Sequence, residues 1–519
     1  MRKCVSAVTI STLLSVLFIA VATASESQTQ FPSPGTGRYD WPQHGGTIFR
    51  NAVSDTKGLP DSFEVGSEQN PRKNIKWVAP IGAKSMGVPV IANGKVYLAA
   101  DAKDGSPKYP LIPKRGALYC FDEKTGEMLW QFIGKEKGVT SGQFGLTTAP
   151  VVESNRLYLC GGNLQFFCLT TDGLFGTNAG PFVNEALIYG IEPPQTLDKT
   201  DADVVWMFDI EENISNVHYH NAYAFAPLVY GDYVYATTGN CGWDKKEFEK
   251  LPRPRFNEET PSLMVLNKKT GKLIAVDNEK MSRNIIHGQW GTPSVGMVNG
   301  KAQILFGGCD GKVYAFDPAP KKWFWEKTGT LKAIWSFDPN FYLKGSRRFE
   351  IYGAPVCNSN RVFVSLSEDW THPKEDGIIV CIDATKKGDI TETGKIWECR
   401  GVGLINGAVS ISKGLLYAAD LYGKVHCIDE GTGELYWTFD TQFQIRAGTL
   451  VADGKIFVGN GRGEFFIFKE GKDMELLHST KLNGQINGLC SAANGCLYIV
   501  AGENLYAIQK DADRKQVAP

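Results

Sequence analysis

One pattern recurs eight times along this 519-residue chain and constrains its fold more than any other feature. It is clearest in Pro89-Val-Ile-Ala-Asn-Gly-Lys-Val-Tyr97, Pro150-Val-Val-Glu-Ser-Asn-Arg-Leu-Tyr158, Pro227-Leu-Val-Tyr-Gly-Asp-Tyr-Val-Tyr235 and Pro355-Val-Cys-Asn-Ser-Asn-Arg-Val-Phe363. Each is two short apolar strands around a Gly, Asn or Asp turn, the signature of a tight β-hairpin. Looser copies begin at Pro293, Val409, Thr449 and Cys490. A second element follows each hairpin: Tyr119-Cys-Phe-Asp122, Phe167-Cys-Leu169, Met264-Val-Leu-Asn267, Tyr314-Ala-Phe-Asp317, Val380-Cys-Ile-Asp383, His426-Cys-Ile-Asp429, Phe466-Ile-Phe468 and Tyr506-Ala-Ile508.

After that element a Lys/Thr-Gly turn leads to a tryptophan eight residues past the Asp: Trp130 after Asp122, Trp325 after Asp317 and Trp437 after Asp429. Trp206 and Trp397 occupy the same slot across insertions, and Ala275 and Leu477 replace it. Each unit is therefore four strands, and the last two repeat starts, 40 and 41 residues apart, match the length of one propeller blade. The eighth unit ends before its fourth strand, while Asn74-Ile-Lys-Trp-Val-Ala79 is strand-like and has no hairpin of its own. That segment is expected to supply the missing strand and close the ring, which hides sheet edges. The fold class is all-β: an eight-bladed β-propeller of four-stranded blades closed by an N-terminal strand.

The expected organisation is a signal peptide over 1–24, a lead-in segment over 25–73, one propeller over 74–510 and a polar tail over 511–519. Arg2 and Lys3 precede an apolar run from Val5 to Ala22, and Ala22-Thr23-Ala24 supplies the small residues a signal peptidase reads. No later segment approaches the ~18 apolar residues of a membrane helix, so the mature chain is expected to be exported without a span, to the periplasm or cell envelope. The 55 basic and 56 acidic residues leave no basic excess for a phosphate backbone, so no nucleic-acid partner is expected.

The pattern resembles the exported bacterial PQQ-like (pyrrolo-quinoline quinone) repeat propellers over roughly residues 39 to 510. Asp40-Trp-Pro-Gln43, Gly58-Leu-Pro60, Tyr219-His-Asn221, Ile286-His-Gly-Gln-Trp290, Cys381-Ile-Asp-Ala-Thr-Lys386 and Leu416-Tyr-Ala-Ala-Asp420 are similar to the planctomycete-type members. The resemblance implies the propeller fold. It does not choose between quinoprotein dehydrogenases and non-enzymatic BamB-like scaffolds, which share the repeat. The alcohol dehydrogenases among them hold PQQ against a disulfide between adjacent cysteines, with calcium and a catalytic aspartate beside it. In this chain no two cysteines are neighbours and no Cys-x-x-Cys-His haem attachment is present, so no cofactor is expected.

Cys120, Cys168, Cys381 and Cys427 fall in one repeat slot that Ala315 and Ala507 fill elsewhere, which marks a small buried position. Mostly free thiols are expected, although Cys490 and Cys496 could bond across a hairpin. No Gly-x-Ser-x-Gly elbow, phosphate-binding loop or His-Glu-x-x-His helix is present.

Function is expected in the insertions. If blade strands alternate in direction, the loops between strands two and three and those leading into the next blade share one face. Residues 101–115, 211–222, 240–261, 279–290, 337–353 and 367–377 fall there, and the 173–204 insertion leaves from the other face or the rim. On the loop-rich face His218, His220 and His287 should converge near the channel with Asn221, Gln289, Trp290, Arg347, Arg348 and Glu350. His220, Asn221, His287, Gln289, Trp290 and Glu350 form the candidate ligand-binding set, Trp290 with its amides and imidazoles suiting a polar cleft. The alternative is that these side chains satisfy loop backbone groups and line a wet channel. No metal is expected: the His218-x-His220 pair lacks completing ligands. His426, on a strand, is expected to be packed. The chain thus reads as a non-catalytic propeller that binds a protein partner of the cell envelope, or a glycan or small ligand, through the loops of blades one to five. The alternative is a quinoprotein-like or other oxidoreductase at the channel mouth.

Overall fold

The computed structural model describes residues 39–512 apart from 67–70, 83–84, 103–105, 107, 110–114, 136–147, 162–163, 176–177, 184, 191–195, 215–216, 218–225, 241–257, 286, 324, 344–347 and 368–375. Eight sheets follow one another along the chain, and seven take all four of their blade strands from consecutive sequence. Blade one, for example, runs Val90–Ala92, Lys95–Ala102, Arg115–Asp122 and Met128–Lys135, every neighbour antiparallel. Blade eight takes Ser491–Ala493, Cys496–Ala501 and Asn504–Gln509 from the end of the chain, and Ile75–Pro80 from its beginning. Trp77 sits opposite Ala507 in that antiparallel pairing, so the ring closes as the strand-like segment predicts.

The outer-strand tryptophans tie each blade to the next. The indole N–H of Trp77 donates to the Glu123 carbonyl, Trp130 to Thr171, Trp206 to Lys268, Trp397 to Glu430 and Trp437 to Gly471, at 3.1 to 3.3 Å. The ring lies flat on the next blade's turn: a Cβ on Gly126, Gly271 or Gly433, all at positive φ, would meet Trp77, Trp206 or Trp397 at 2.6 Å. Asp122 and Asp429 fix such turns by accepting from the N–H groups two and three residues on. The small repeat slot now has a cause. Cys120, Cys168, Cys381 and Cys427 face Trp130, Trp206, Trp397 and Trp437 across the strand pair, leaving no room for a larger side chain. All ten cysteines among the described residues are buried and free, Cys490 and Cys496 included.

Two expected slots are corrected. In blade four the outer strand is Ala333–Phe337, and Trp335, not Trp325, faces Ala315. The connector after Asp317 carries an inserted hairpin that displaces the strand, leaving Trp325 65% exposed. In blade seven His478, not Leu477, faces Ile467, because the turn spans Lys469 to Glu475 where blade six spans Asp429 to Glu434.

In blades three and four, where the latch is missing or redirected, the next blade's connector lays a parallel segment on the exposed edge. Gly329–Leu331 pairs with the outer strand of blade three, which has Ala275 in the slot. Gly388–Asp389 pairs with that of blade four, whose Trp335 donates to Gln303 of its own blade instead.

The lead-in segment occupies the channel at the end carrying the hairpin turns. Trp41 bridges Ile91 of blade one, the Pro42 carbonyl takes the Val152 N–H of blade two, and the Ile48 carbonyl takes that of Val295 in blade four. Asn51 exchanges two hydrogen bonds with Ile411 of blade six, Val53–Ser54 runs parallel to Leu450–Ala452 of blade seven, and Ser54 reaches the Ala492 carbonyl of blade eight. Arg50, fully buried, donates to the carbonyls of Pro227, Pro293 and His44, and so joins blades three and four.

Candidate functional site

The opposite end of the channel is framed by the segments that lead into each inner strand. Two of them meet between blades four and five. The first carries His287, Gln289 and Trp290 after the outer strand of blade three (Leu273–Asp277); the second carries Glu350 and Tyr352 after that of blade four. In both, the aromatic residue precedes a glycine, Gly291 or Gly353, against which backbone packs closely.

Glu350 is 2% exposed and organises the cluster. One carboxylate oxygen accepts the His287 backbone N–H at 2.8 Å and the other accepts the Tyr352 hydroxyl. Its backbone exchanges hydrogen bonds with Ser367, whose hydroxyl donates to the Ile405 carbonyl at 2.5 Å and so carries the framework into blade six. Trp290 lies edge-to-face with His287 at 4.7 Å on one side and with Tyr352 at 5.0 Å on the other. Gln289 is fully buried beneath them, its Nε2 donating to the Gly307 carbonyl and its Oε1 accepting the Cys309 N–H. The structure therefore brings together His287, Gln289, Trp290 and Glu350 of the candidate set; His220 and Asn221, like His218 and Arg347, lie outside the described residues. Arg348 is exposed and turns away, donating to the Asp310 carbonyl and the Asp338 carboxylate.

The cluster extends to Tyr352 and Cys309, which sequence reasoning did not include. Tyr352 holds the same place before its repeat glycine as Trp290, and that correspondence could have found it. The Trp290 N–H points at the Cys309 sulfur at 3.3 Å. Burial first, and the Glu350 charge second, hold the Cys309 thiol well above its ordinary pKa, so it stays protonated and a poor nucleophile. Burial also pushes the neighbouring Asp310 carboxyl up to about 6, while the Tyr314 hydroxyl donates to it at 2.5 Å. Glu350 is committed on both oxygens to holding its neighbours, which suits positioning rather than proton transfer. His426, as expected, is packed: fully buried, with Nε2 2.9 Å from Asp420 and Nδ1 3.0 Å from Thr438.

Among the described residues nothing matches a site for PQQ with its calcium. No two cysteines adjoin in the sequence, and among the described residues no three His, Cys, Asp or Glu side chains converge on a metal position. Cys309 is a single buried thiol.

Fold and site together define an eight-bladed propeller filled at one end of its channel and presenting an aromatic cluster on a carboxylate frame at the other. The chain belongs to the PQQ-like propeller family whose model is described as outer membrane protein assembly factor BamB, which matches residues 176–439 and 422–516. A curated relative, the quinohemoprotein alcohol dehydrogenase ADH-IIG of Pseudomonas putida, is 34% identical over 67 residues, so the match spans 12% of this chain and only 9% of that enzyme. A europium-containing methanol dehydrogenase shares the fold at TM-score 0.57 and 12% identity, covering 89% of this chain and 90% of its own. The quinohemoprotein alcohol dehydrogenase of Comamonas testosteroni does so at 0.54 and 11%, covering 90% and 80%. Among the described residues no helix is long and apolar enough to cross a membrane.

Proposed function

We propose that the protein is a non-catalytic, exported member of this family that binds a protein partner of the cell envelope through the loop-rich face of blades one to five. The anchor is the Trp290–Tyr352–His287 cluster at the channel mouth. The observation that carries this reading is that Glu350 spends both oxygens on fixing two of those residues, and so builds a rigid aromatic platform. Tyr and Trp held in one rotamer supply contact area with little ordering cost, which is why they dominate binding hot spots. The family description, an assembly factor of the outer membrane, supports the same reading.

A photo-crosslinking residue at His287, used in cells, tests it. One discrete protein adduct is expected, lost in Trp290→Ala and Tyr352→Ala, and absent when the crosslinker is placed in the blade-seven turn at Lys472. Adducts with small molecules only, or an adduct insensitive to both substitutions, would overturn it.

A further inference from the structure

The connector that displaces the blade-four outer strand is a hairpin, and its tip gathers exposed aromatic and basic side chains. It reads Lys321-Lys-Trp-Phe-Trp-Glu-Lys327, three aromatic residues in a row between lysines. Its stem is closed by two backbone hydrogen bonds between Lys321 and Thr330. Immediately after it, Gly329–Leu331 adds in parallel to the outer strand of blade three, and Leu331 is fully buried. The tip thus stands on a base fixed to two blades. Trp323 and Trp325 are 63% and 65% exposed and stack on each other, 5.2 Å apart with planes 8° from parallel. Lys321, Lys322 and Lys327 are exposed, and none makes an ion pair among the described residues. Glu326, the one acidic residue of the tip, turns back to cap the Trp323 N–H at 3.0 Å.

Two neighbouring indoles left in water are unfavourable unless they meet an apolar phase. The stacking removes one face of each ring and leaves a compact wedge with lysines at its base. We propose that this hairpin is a membrane-surface anchor: Trp323 and Trp325 enter the interfacial zone of a bilayer, and Lys321, Lys322 and Lys327 meet its anionic headgroups. Indoles favour that zone, because their apolar body and N–H suit opposite sides of it. Lysines beside them snorkel to phosphate and are drawn to an anionic surface. A glycan fits less well, since sugar hydroxyls need carboxylates or amides beside the ring, and the tip offers cations and an inward-turned Glu326. A second copy of the chain would bring lysines against lysines.

The test is co-sedimentation of the full protein with vesicles of phosphatidylcholine containing about one-third phosphatidylglycerol, against pure phosphatidylcholine. Binding to the anionic vesicles alone is expected, weakened by salt, with a blue-shifted difference in tryptophan emission between the wild type and Trp323→Ser/Trp325→Ser. That double substitution should weaken binding about tenfold or more. Lys321→Gln/Lys322→Gln/Lys327→Gln should abolish the preference for anionic lipid, and Trp323→Phe/Trp325→Phe should restore most of the binding. All these side chains are exposed, so melting temperatures should stay unchanged, and the lysine variant decides the matter even if the serine variant folds poorly. No sedimentation with either vesicle, or binding untouched by either variant, would overturn the proposal. So would emission quenched by a neutral oligosaccharide without lipid, or a hairpin-dependent dimer in solution.

Discussion

At the scale of single residues, a latch tryptophan does two jobs that a phenylalanine could only half perform. In blades two, five and eight the indole covers the neighbouring blade's turn glycine, and in every latch its N–H donates to a carbonyl of that turn, a carbonyl that Lys95, Arg361 or Lys76 also reaches in blades one, five and eight. Trp206→Phe should keep most of the area but leave the Lys268 carbonyl without its 3.1 Å donor, costing about 1–3 kcal/mol in urea unfolding, and Trp397→Phe less, because Arg361 still donates to the Glu430 carbonyl. Trp335→Phe should cost less, because its partner is the Gln303 side chain, which can rotate. His44 supplies a pH test. Its Nδ1 is sealed in the channel beside Arg50, and burial, then the Arg50 charge, lowers its pKa to about 3 from 6.5. The unfolded chain takes up a proton below 6.5 that the folded chain refuses, so this residue makes stability fall as pH drops from 6.5 toward 3, by up to ~1.4 kcal/mol per unit. Asp277 and Asp310, raised by burial to about 6, act the other way: between 6 and 3.8 the folded state holds the extra protons, and acid stabilises. Stability curves of the wild type and His44→Gln, subtracted, should isolate the histidine's slope; a flat difference would refute the assignment.

At the scale of elements, the eight hairpins and most outer strands were legible because strand alternation and turn residues are local signals. The places where counting failed share a cause. Offsets from the turn aspartate hold only while the connector keeps its length, and the inserted hairpin after Asp317 moved the true slot to Trp335 while supplying a decoy at Trp325. One extra residue in the turn before His478 did the same on a smaller scale. Parallel straps such as Gly388–Asp389 carry no sequence signature, since they are too short for periodicity and pair with a strand of another blade. They matter nonetheless, because they cover edges that the indole latch does not. Ile390 donates its N–H to the Ser336 carbonyl at 2.9 Å and is 1% exposed. Ile390→Pro should therefore lower stability by about 3 kcal/mol or more and increase aggregation on heating, measured by light scattering. Ordinary melting without aggregation would mean that the strap is dispensable. At the channel mouth the repeat frame placed His287, Gln289, Trp290 and Glu350 together, whereas Cys309 came from a loop whose path the frame does not fix.

At the scale of the whole molecule, the ring is held from inside as well as at its rim. Residues 41 to 54 touch the inner strands or their lead-ins in blades one, two, three, four, six, seven and eight, crossing sequence separations of up to 438 residues. Neighbouring blades can each be latched at the rim and still leave a wide central hole; a single segment that turns across the channel and bonds to many blades removes that freedom at once. Arg50 is the centre of this arrangement. Burial lowers its pKa to about 9, yet three carbonyls surround the guanidinium, so it remains charged at neutral pH. Replacing it by methionine keeps the volume and strands those three acceptors. Arg50→Met should thus cost about 3–5 kcal/mol, more than any rim latch. The loss should appear as one cooperative shift of the whole ring in calorimetry, with faster hydrogen exchange in the inner strands of blades three and four. If only the 41–54 segment loosens while the ring melts unchanged, the segment is a passenger in the channel and the rim latches alone hold the propeller closed.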